Sequence, residues 1–285
     1  MGYLALAFSS AILYGFWAFS LSTYRGRLSN WIIILLSASA AGVMYALLGA
    51  ISGTLIFDSD DVIPGLIGGV LRVGGTYCLL MAYQRGKVAI ASGVAATSVL
   101  VPLSYSIYIG EPLTAITVAG VILMLAGLAA FYLAGLRGGP GSAPSDTRAH
   151  ISILFALGAA LLWGTSVVVV DEGTRVSVTG TNLVAQIPQV TITVIMVLLT
   201  ARSQFRTMPS KAYAVLLSAG IFLALANVAF YTAANEGNIG VVSVIGSLDP
   251  LVTAILAAFF FKERLRRSEV FAFAVVLVGA CVVVI

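Results

Sequence analysis

Ten long apolar runs dominate this chain of 285 residues, separated by short stretches of charged, glycine, proline and amide residues. Each run holds about 20 residues, the length that an α-helix needs to cross the hydrocarbon core of a bilayer. Their approximate bounds are 4–22, 31–53, 62–84, 88–109, 114–136, 151–172, 180–200, 212–234, 239–261 and 268–285. Such runs lack the polar alternation of barrel strands, and a helix satisfies its own backbone in lipid. The pattern predicts an all-α polytopic membrane protein with ten transmembrane helices.

Charged residues make up only 9% of the chain, against about 25% in soluble domains, and ten spans leave no length for a soluble domain. The first run lacks a basic leader and a cleavage site, so we expect it to stay as an anchor. One histidine, His150, and two isolated cysteines, Cys78 and Cys281, predict no metal site, disulfide or cofactor. No phosphate-binding loop and no basic cluster with interleaved aromatics is present, so we expect neither an enzyme nor a nucleic-acid partner.

The chain contains an internal repeat. A glycine- and proline-rich linker at 137–150 separates a first unit, 1–136, from a second, 151–285. The matching segments are AILYG at 11–15 with ALLWG at 160–164, QRGKVA at 84–89 with NEGNIG at 235–240, EPL at 111–113 with ERL at 263–265, and LAG at 125–127 with LVG at 277–279. The offsets grow from 149 through 151 to 152. Because five spans per unit is an odd number, we expect two inverted five-helix repeats, the arrangement of many alternating-access transporters.

Basic residues are distributed unequally between the two sets of connections. Thirteen lie in the odd-numbered connections: Arg25, Arg27, Arg85, Lys87, Arg137, Arg148, Arg202, Arg206, Lys211, Lys262, Arg264, Arg266 and Arg267. The even-numbered connections hold one, Arg175. By the positive-inside rule, the odd-numbered connections face the cytoplasm and both termini face outward, in an inner (plasma) membrane.

These features resemble the EamA-type transporters of the drug/metabolite transporter superfamily over essentially the whole chain. The resemblance rests on the paired A-x-L-aromatic-G openings, the glycines after the third and eighth spans, the paired E-x-L segments, and Pro250 thirteen residues before Glu263. In the first half that position is Ser98 and the proline is displaced to Pro102, so the resemblance does not fix where the fourth helix breaks. It implies a multi-pass inner-membrane carrier of small organic solutes, usually exported. Length, compactness and aromatic content are similar to those of an aromatic amino acid exporter.

Two charged residues lie near the middle of a predicted span, where charge is costly and marks a candidate functional site. Arg72 is in the third span, and Asp249 is in the ninth, directly before Pro250. One interpretation is that the two simply pair with each other. The alternative is that they flank a cavity in which the guanidinium binds a solute carboxylate and Asp249 binds an amine or a proton.

Helical spacing extends this candidate site. Thr76 and Tyr83 share the Arg72 face of the third span. A similar polar stripe, on the eighth span, consists of Asn227, Tyr231 and Asn235. Tyr14, Trp17 and Trp163 supply aromatic surface that can stack on a planar or cationic solute, although packing in the membrane bundle is the more common role of each aromatic taken singly. A further polar pair, Asn182 and Gln186, is expected to make helix–helix hydrogen bonds.

The sequence therefore favours a secondary carrier whose partners are a small-molecule solute and membrane lipid. The solute is expected to be an aromatic or other apolar amino acid or a related metabolite. A drug or cationic-metabolite exporter of the same fold and a passive channel stay open as alternatives. Transport would be driven by the solute gradient or by protons as the coupling ion, with Asp249 as the titratable acid at the right depth.

Overall fold

The computed structural model describes residues 2–111, 114–136, 146–262 and 267–284, and within these ranges the chain is helical and has no strand. The helices are α1 (Gly2–Ser22), α2 (Asn30–Ser52), α3 (Ser59–Arg85), α4 (Val88–Ala95), α5 (Leu100–Tyr108), α6 (Ala115–Leu136), α7 (Asp146–Thr174), α8 (Val178–Thr200), α9 (Arg202–Thr207), α10 (Ser210–Glu236), α11 (Ile239–Gly246), α12 (Asp249–Phe260) and α13 (Arg267–Val284). A 3₁₀ turn, Ala96–Val99, joins α4 to α5.

Eight helical segments in the described part of the chain are long and apolar enough to cross a membrane. They include two composite segments, Val88–Tyr108 and Ile239–Phe260, each built from two successive helices. The predicted fifth and tenth spans coincide with α6 and α13, which are not among the eight. An all-helical, multiply spanning protein is therefore confirmed, whereas the count of ten stays a prediction.

Two helices begin three or more residues before the predicted bounds. Helix α3 begins three residues early, because the Asp58 side chain accepts from the Ser59 backbone N–H and Asp61 completes a capping box. Helix α7 begins at Asp146, five residues before the predicted sixth span and inside the predicted linker 137–150, and the division of the chain into two units stays a prediction. The last glycine and proline of that linker precede Ser145, and an acidic residue suits the positive end of a helix dipole. Residues 137–145 lie outside the described ranges.

Both composite segments break at positions related by the repeat. An offset of 151 carries the 3₁₀ turn Ala96–Val99 onto residues 247–250, where α11 gives way to α12. Pro250 explains the second break, since it lacks a backbone N–H. At each break a hydroxyl also bonds the carbonyl three residues back: Thr97 to Val94 at 2.8 Å and Ser247 to Val244 at 2.7 Å. Although the first-half proline, Pro102, does not align with Pro250, the first-half break lies at the position equivalent to the second-half break.

Glycine contacts between helices recur in pairs. A methyl group added to any of eight glycines would lie within 2.8 Å of the partner residue, so the helices meet almost backbone to backbone. The paired contacts are Gly15 to Val252 and Gly164 to Val101; Gly69 to Pro188 and Gly220 to Ala40; Gly86 to Ser152 and Gly237 to Tyr3; Gly127 to Val276 and Gly279 to Met124. Within each pair, both partners differ by 148 to 152 residues, so each of these four contacts from the first half to the second has a counterpart in the reverse direction.

Contacts along helix α7 show at which end of the bundle the connections after α3 and α10 lie. The Arg85 guanidinium lies 5.0 Å from the centre of the Phe155 ring, near the start of α7. The Asn235 amide donates to the Thr174 carbonyl at 2.9 Å, at the end of α7. Phe155 and Thr174 are 19 residues apart, which is about 28 Å of helix. The connections that follow α3 and α10 therefore lie at opposite ends of the bundle.

Replacing Gly164 by alanine tests the close contact of α7 with the fourth segment. The new Cβ would lie 2.5 Å from the Ser98 carbonyl oxygen, so we expect Gly164→Ala to lower the free energy of unfolding by about 1–3 kcal/mol. Gly158→Ala, on the same helix, is the control, because its Cβ would meet only the Cys78 sulfur at 3.6 Å. Thermal unfolding in detergent measures both, and equal melting temperatures would contradict the contact.

Candidate functional site

A cavity of about 140 Å³ lies among α1, α3, α7, α8, α10 and the two composite segments. Its lining is mostly apolar, with polar side chains both near the helix breaks and along α3, α7, α8 and α10. All nine residues that the sequence pointed to line this cavity: Tyr14, Trp17, Arg72, Thr76, Tyr83, Trp163, Asn227, Tyr231 and Asp249. The structure thus brings the predicted set together in one place, and whether these residues bind a solute stays a prediction.

The aromatic wall of the cavity comes from both halves of the chain. The Trp17 and Trp163 rings lie 5.5 Å apart between centroids, and Tyr14 meets Trp17 edge-on at 6.5 Å. The wall continues through Phe230, 6.3 Å from Tyr14, which the sequence analysis missed. Trp17 is buried, and its indole N–H donates to the Ser37 hydroxyl at 3.2 Å. These rings present a continuous π surface to the cavity.

Neutral side chains from two other helices hold the Arg72 guanidinium in place. Its Nη1 donates to the Asn182 amide oxygen at 2.8 Å, and its Nη2 donates to the Tyr231 hydroxyl at 3.0 Å. The guanidinium carbon also lies 5.7 Å from the Tyr231 ring centre. No carboxylate of the described residues forms an ion pair with it. Arg72 therefore keeps its positive charge uncompensated beside the cavity.

Asp249 is the first residue of α12 and lines the cavity at the helix break. Its side chain is half-buried, and the Thr253 hydroxyl bonds its backbone carbonyl at 3.0 Å. The structure, which describes both residues, shows no ion pair between Asp249 and Arg72. Direct pairing of Arg72 with Asp249 is therefore not the arrangement adopted, and the guanidinium and the carboxyl group line the cavity apart from each other.

Asn227 is engaged at both ends of its amide. Its oxygen accepts from the Tyr14 hydroxyl at 2.6 Å, and its nitrogen donates to the Tyr45 hydroxyl at 2.7 Å. Tyr45 is fully buried on α2, inside an apolar run that gave no signal in the sequence. Asn227 therefore fixes the orientation of Tyr14 and, through it, the edge of the aromatic wall.

The other polar candidates divide between the cavity and the helix ends. Tyr83 shares a hydrogen bond of 2.7 Å with the Ser92 hydroxyl. Asn182 makes the predicted helix–helix bond, through Arg72, whereas the Gln186 amide bonds the Asn182 carbonyl within its own helix at 3.4 Å. Asn235 bonds the end of α7, away from the cavity. Of the E-x-L pair, Glu111 accepts from the Ser106 hydroxyl at 2.6 Å, and Glu263 lies outside the described residues.

Comparison with known families gives a match in the second half of the chain. Residues 150–285 match the EamA-like transporter family. This match and the apolar helices indicate a multi-pass membrane protein, and they suggest a membrane transporter of small solutes. No curated protein matches the chain in sequence, so no named relative supports a particular exporter.

The fold recurs in a solved structure described only as the crystal structure of a protein. The likeness covers 98% of this chain and 95% of that one, with a TM-score of 0.74 and 19% sequence identity. At this identity the likeness concerns the fold alone. In the part of the chain that the structure describes, no group of three or more histidine, cysteine, aspartate or glutamate residues is placed to hold a metal.

Removal of the Asn227 amide tests the tyrosine network. Asn227→Ala removes two hydrogen bonds and leaves the buried Tyr45 hydroxyl without a partner, so we expect a loss of about 1–3 kcal/mol in unfolding free energy. Tyr45→Phe removes one of the two bonds and should cost about half as much. Thermal unfolding in detergent gives the order of the two variants, and a Tyr45→Phe loss larger than the Asn227→Ala loss would contradict the network.

Proposed function

We propose that this protein is a secondary carrier that moves zwitterionic amino acids with aromatic or other apolar side chains, or closely related metabolites, out of the cell. The carrier works by alternating access between two inverted five-helix repeats, residues 1–136 and 151–285. The reciprocal glycine contacts support the repeat, because both partners of each contact shift by nearly the same number of residues. The opposite placement of the connections after α3 and α10 supports the inversion.

The observation that carries the proposal is one cavity with two unlike charges that do not pair. A guanidinium has five N–H donors, and neutral acceptors engage Arg72 through only two nitrogens. Such a group binds a carboxylate through two parallel hydrogen bonds. An amino acid whose carboxylate meets Arg72 and whose amine meets Asp249 compensates both charges, which is favourable in a site of low dielectric constant.

The aromatic wall supports the apolar part of the solute. Trp17, Trp163, Tyr14 and Phe230 offer ring faces and edges on which a flat or branched hydrocarbon side chain packs. The tyrosine network keeps this surface fixed before the solute arrives, which lowers the entropy cost of binding. A cavity of about 140 Å³ limits the solute to a small molecule.

A cationic solute is the second candidate. Asp249 beside an aromatic wall is also a suitable site for a quaternary ammonium group, which is attracted to ring faces. Arg72 opposes this candidate, because a cation without a carboxylate leaves the guanidinium uncompensated and repels it. The two candidates therefore differ in how they depend on Arg72.

Counterflow in liposomes that contain the purified protein distinguishes these candidates. Arg72→Ala should reduce counterflow of amino acids at least tenfold, because a charge-assisted bidentate contact contributes about 1.5–3 kcal/mol or more. Tetraethylammonium flux should be unchanged or increased if cations enter. Arg175→Ala, which removes a half-exposed arginine paired with Asp171 at the bundle end, is the control and should transport normally. Normal amino acid flux in Arg72→Ala would refute the proposed site.

Proton coupling is assigned to Asp249. In Asp249→Asn the side chain can no longer release or take up a proton, so a pH gradient should cease to drive accumulation. Counterflow without a gradient should continue at a reduced rate, since the amide still accepts a hydrogen bond from an amine. Accumulation measured with and without a pH gradient decides the matter: a wild-type rate indifferent to the gradient, or an Asp249→Asn rate that still follows it, excludes this role.

A further inference from the structure

Two serines related by the repeat line the cavity, and they differ in whether the hydroxyl has a hydrogen-bond partner. Ser92 on α4 and Ser243 on α11 are 151 residues apart, and both face the cavity. The Ser92 hydroxyl is paired with the Tyr83 hydroxyl at 2.7 Å. The same offset carries Tyr83 onto Ala234, which has no group to offer. Among the described residues, the Ser243 hydroxyl has no hydrogen-bond partner, although the residue is only 6% exposed.

The unpaired hydroxyl is not explained by its helix. A serine inside a helix commonly bonds the carbonyl three or four residues back, as Ser247 does with Val244 at 2.7 Å. Ser243 makes no such bond. A buried hydroxyl without a partner destabilises a protein, and alanine at the same place would avoid that cost. A partner from outside the chain resolves the discrepancy, and the cavity is where such a partner arrives.

We propose that Ser243 is a contact for the transported solute and binds a neutral polar group that Arg72 and Asp249 do not engage. This inference rests on the proposed function and deepens it. Ser243 precedes Asp249 by six residues, which places it on the order of 9 Å along the segment. A solute whose amine meets Asp249 therefore reaches Ser243 with the far end of its side chain. The substrate class becomes amino acids whose apolar side chain ends in a hydroxyl or a similar group.

The asymmetry between the halves supports this orientation. Leu223 stands at the position equivalent to Arg72, and Ser98 stands at the position equivalent to Asp249. The charges and the unpaired hydroxyl thus occur once each, while the surrounding apolar scaffold is duplicated. Because Arg72, Asp249 and the unpaired Ser243 hydroxyl each occur in only one half, they define which end of the solute binds at which side of the cavity.

The test compares tyrosine with phenylalanine, which differ by one hydroxyl, as competitors in counterflow by the wild type, Ser243→Ala and Ser247→Ala. The wild type should prefer tyrosine about tenfold, the ratio that one hydrogen bond of ordinary strength gives. Ser243→Ala should reduce the preference to about twofold or less by weakening tyrosine binding alone. Ser247→Ala, which removes a hydroxyl already bonded to its helix, should keep the wild-type preference.

A stability measurement separates solute binding from a structural role. Without solute, Ser243→Ala should melt at the wild-type temperature or above, since it removes an unpaired buried hydroxyl. Added tyrosine should raise the melting temperature of the wild type more than that of the variant. If Ser243→Ala cannot be purified folded, Ser243→Cys keeps the size while weakening the hydrogen bond.

Two outcomes overturn the assignment of Ser243: a wild type that does not distinguish the two amino acids, or a preference unchanged in Ser243→Ala. In each case amino acid flux that still depends on Arg72 leaves the proposed function standing. Wild-type protein that carries no amino acid with an aromatic or other apolar side chain, and no closely related metabolite, overturns the proposed function itself.

Discussion

Close contact between each first helix and the broken helix of the opposite half is the interaction on which the site depends. Lipid is as apolar as the helices, so burial of hydrocarbon does not hold them together, and association relies on tight packing through small residues. Gly15 admits the α12 backbone at Asp249, and Gly164 admits the Ser98 carbonyl of the fourth segment. The two breaks are thereby positioned against α1 and α7, the helices that also carry the aromatic wall. A larger side chain at Gly15 would displace Asp249 from the helix that carries Tyr14 and Trp17, and one at Gly164 would displace Ser98 from the helix that carries Trp163.

The polar residues of the cavity serve two different purposes. Asn182, Tyr231, Asn227 and Tyr45 satisfy other side chains and thus keep Arg72 and Tyr14 in fixed positions. Such preorganisation matters in a membrane, because reorientation of a charge at that depth is costly. In the proposed carrier, the Asp249 side chain, the Ser243 hydroxyl and the remaining N–H donors of Arg72 are the groups that bind the solute.

Much of this arrangement could be predicted from the amino-acid sequence, for physical reasons. Span length and apolar content are one-dimensional properties, so the helices were located to within a few residues. Arg72 and Asp249 stood out because charge is rare at mid-span, and helical spacing then selected their neighbours. The sequence predicts a linker that ends at residue 150, whereas α7 begins at Asp146, since nothing in a polar stretch marks where the first turn begins.

Other features depend on three-dimensional packing and left little trace in the chain. Tyr45 and Phe230 look like ordinary members of apolar runs, and only contacts between helices place one beneath Asn227 and the other beside Tyr14. The break in the fourth segment has no proline, so its position follows from the repeat and from the Thr97 hydroxyl rather than from a local signal. The state of Ser243 becomes visible only when its counterpart Ser92 is seen with a partner.

In the proposed carrier, Arg72 and Asp249 each occur in only one of the two halves. This asymmetry affects the relative free energies of the inward-facing and outward-facing forms when no solute is bound. Two halves that merely exchange conformations would give inward-facing and outward-facing forms of equal free energy, and the unloaded protein would populate them equally. Leu223 and Ser98 at the equivalent positions remove that degeneracy, because the charges become hydrated to different extents when one mouth or the other is open. In the proposed alternating-access carrier, the resting population is therefore biased toward one side of the membrane, and Arg72 and Asp249 rather than the helices around them set the direction of that bias.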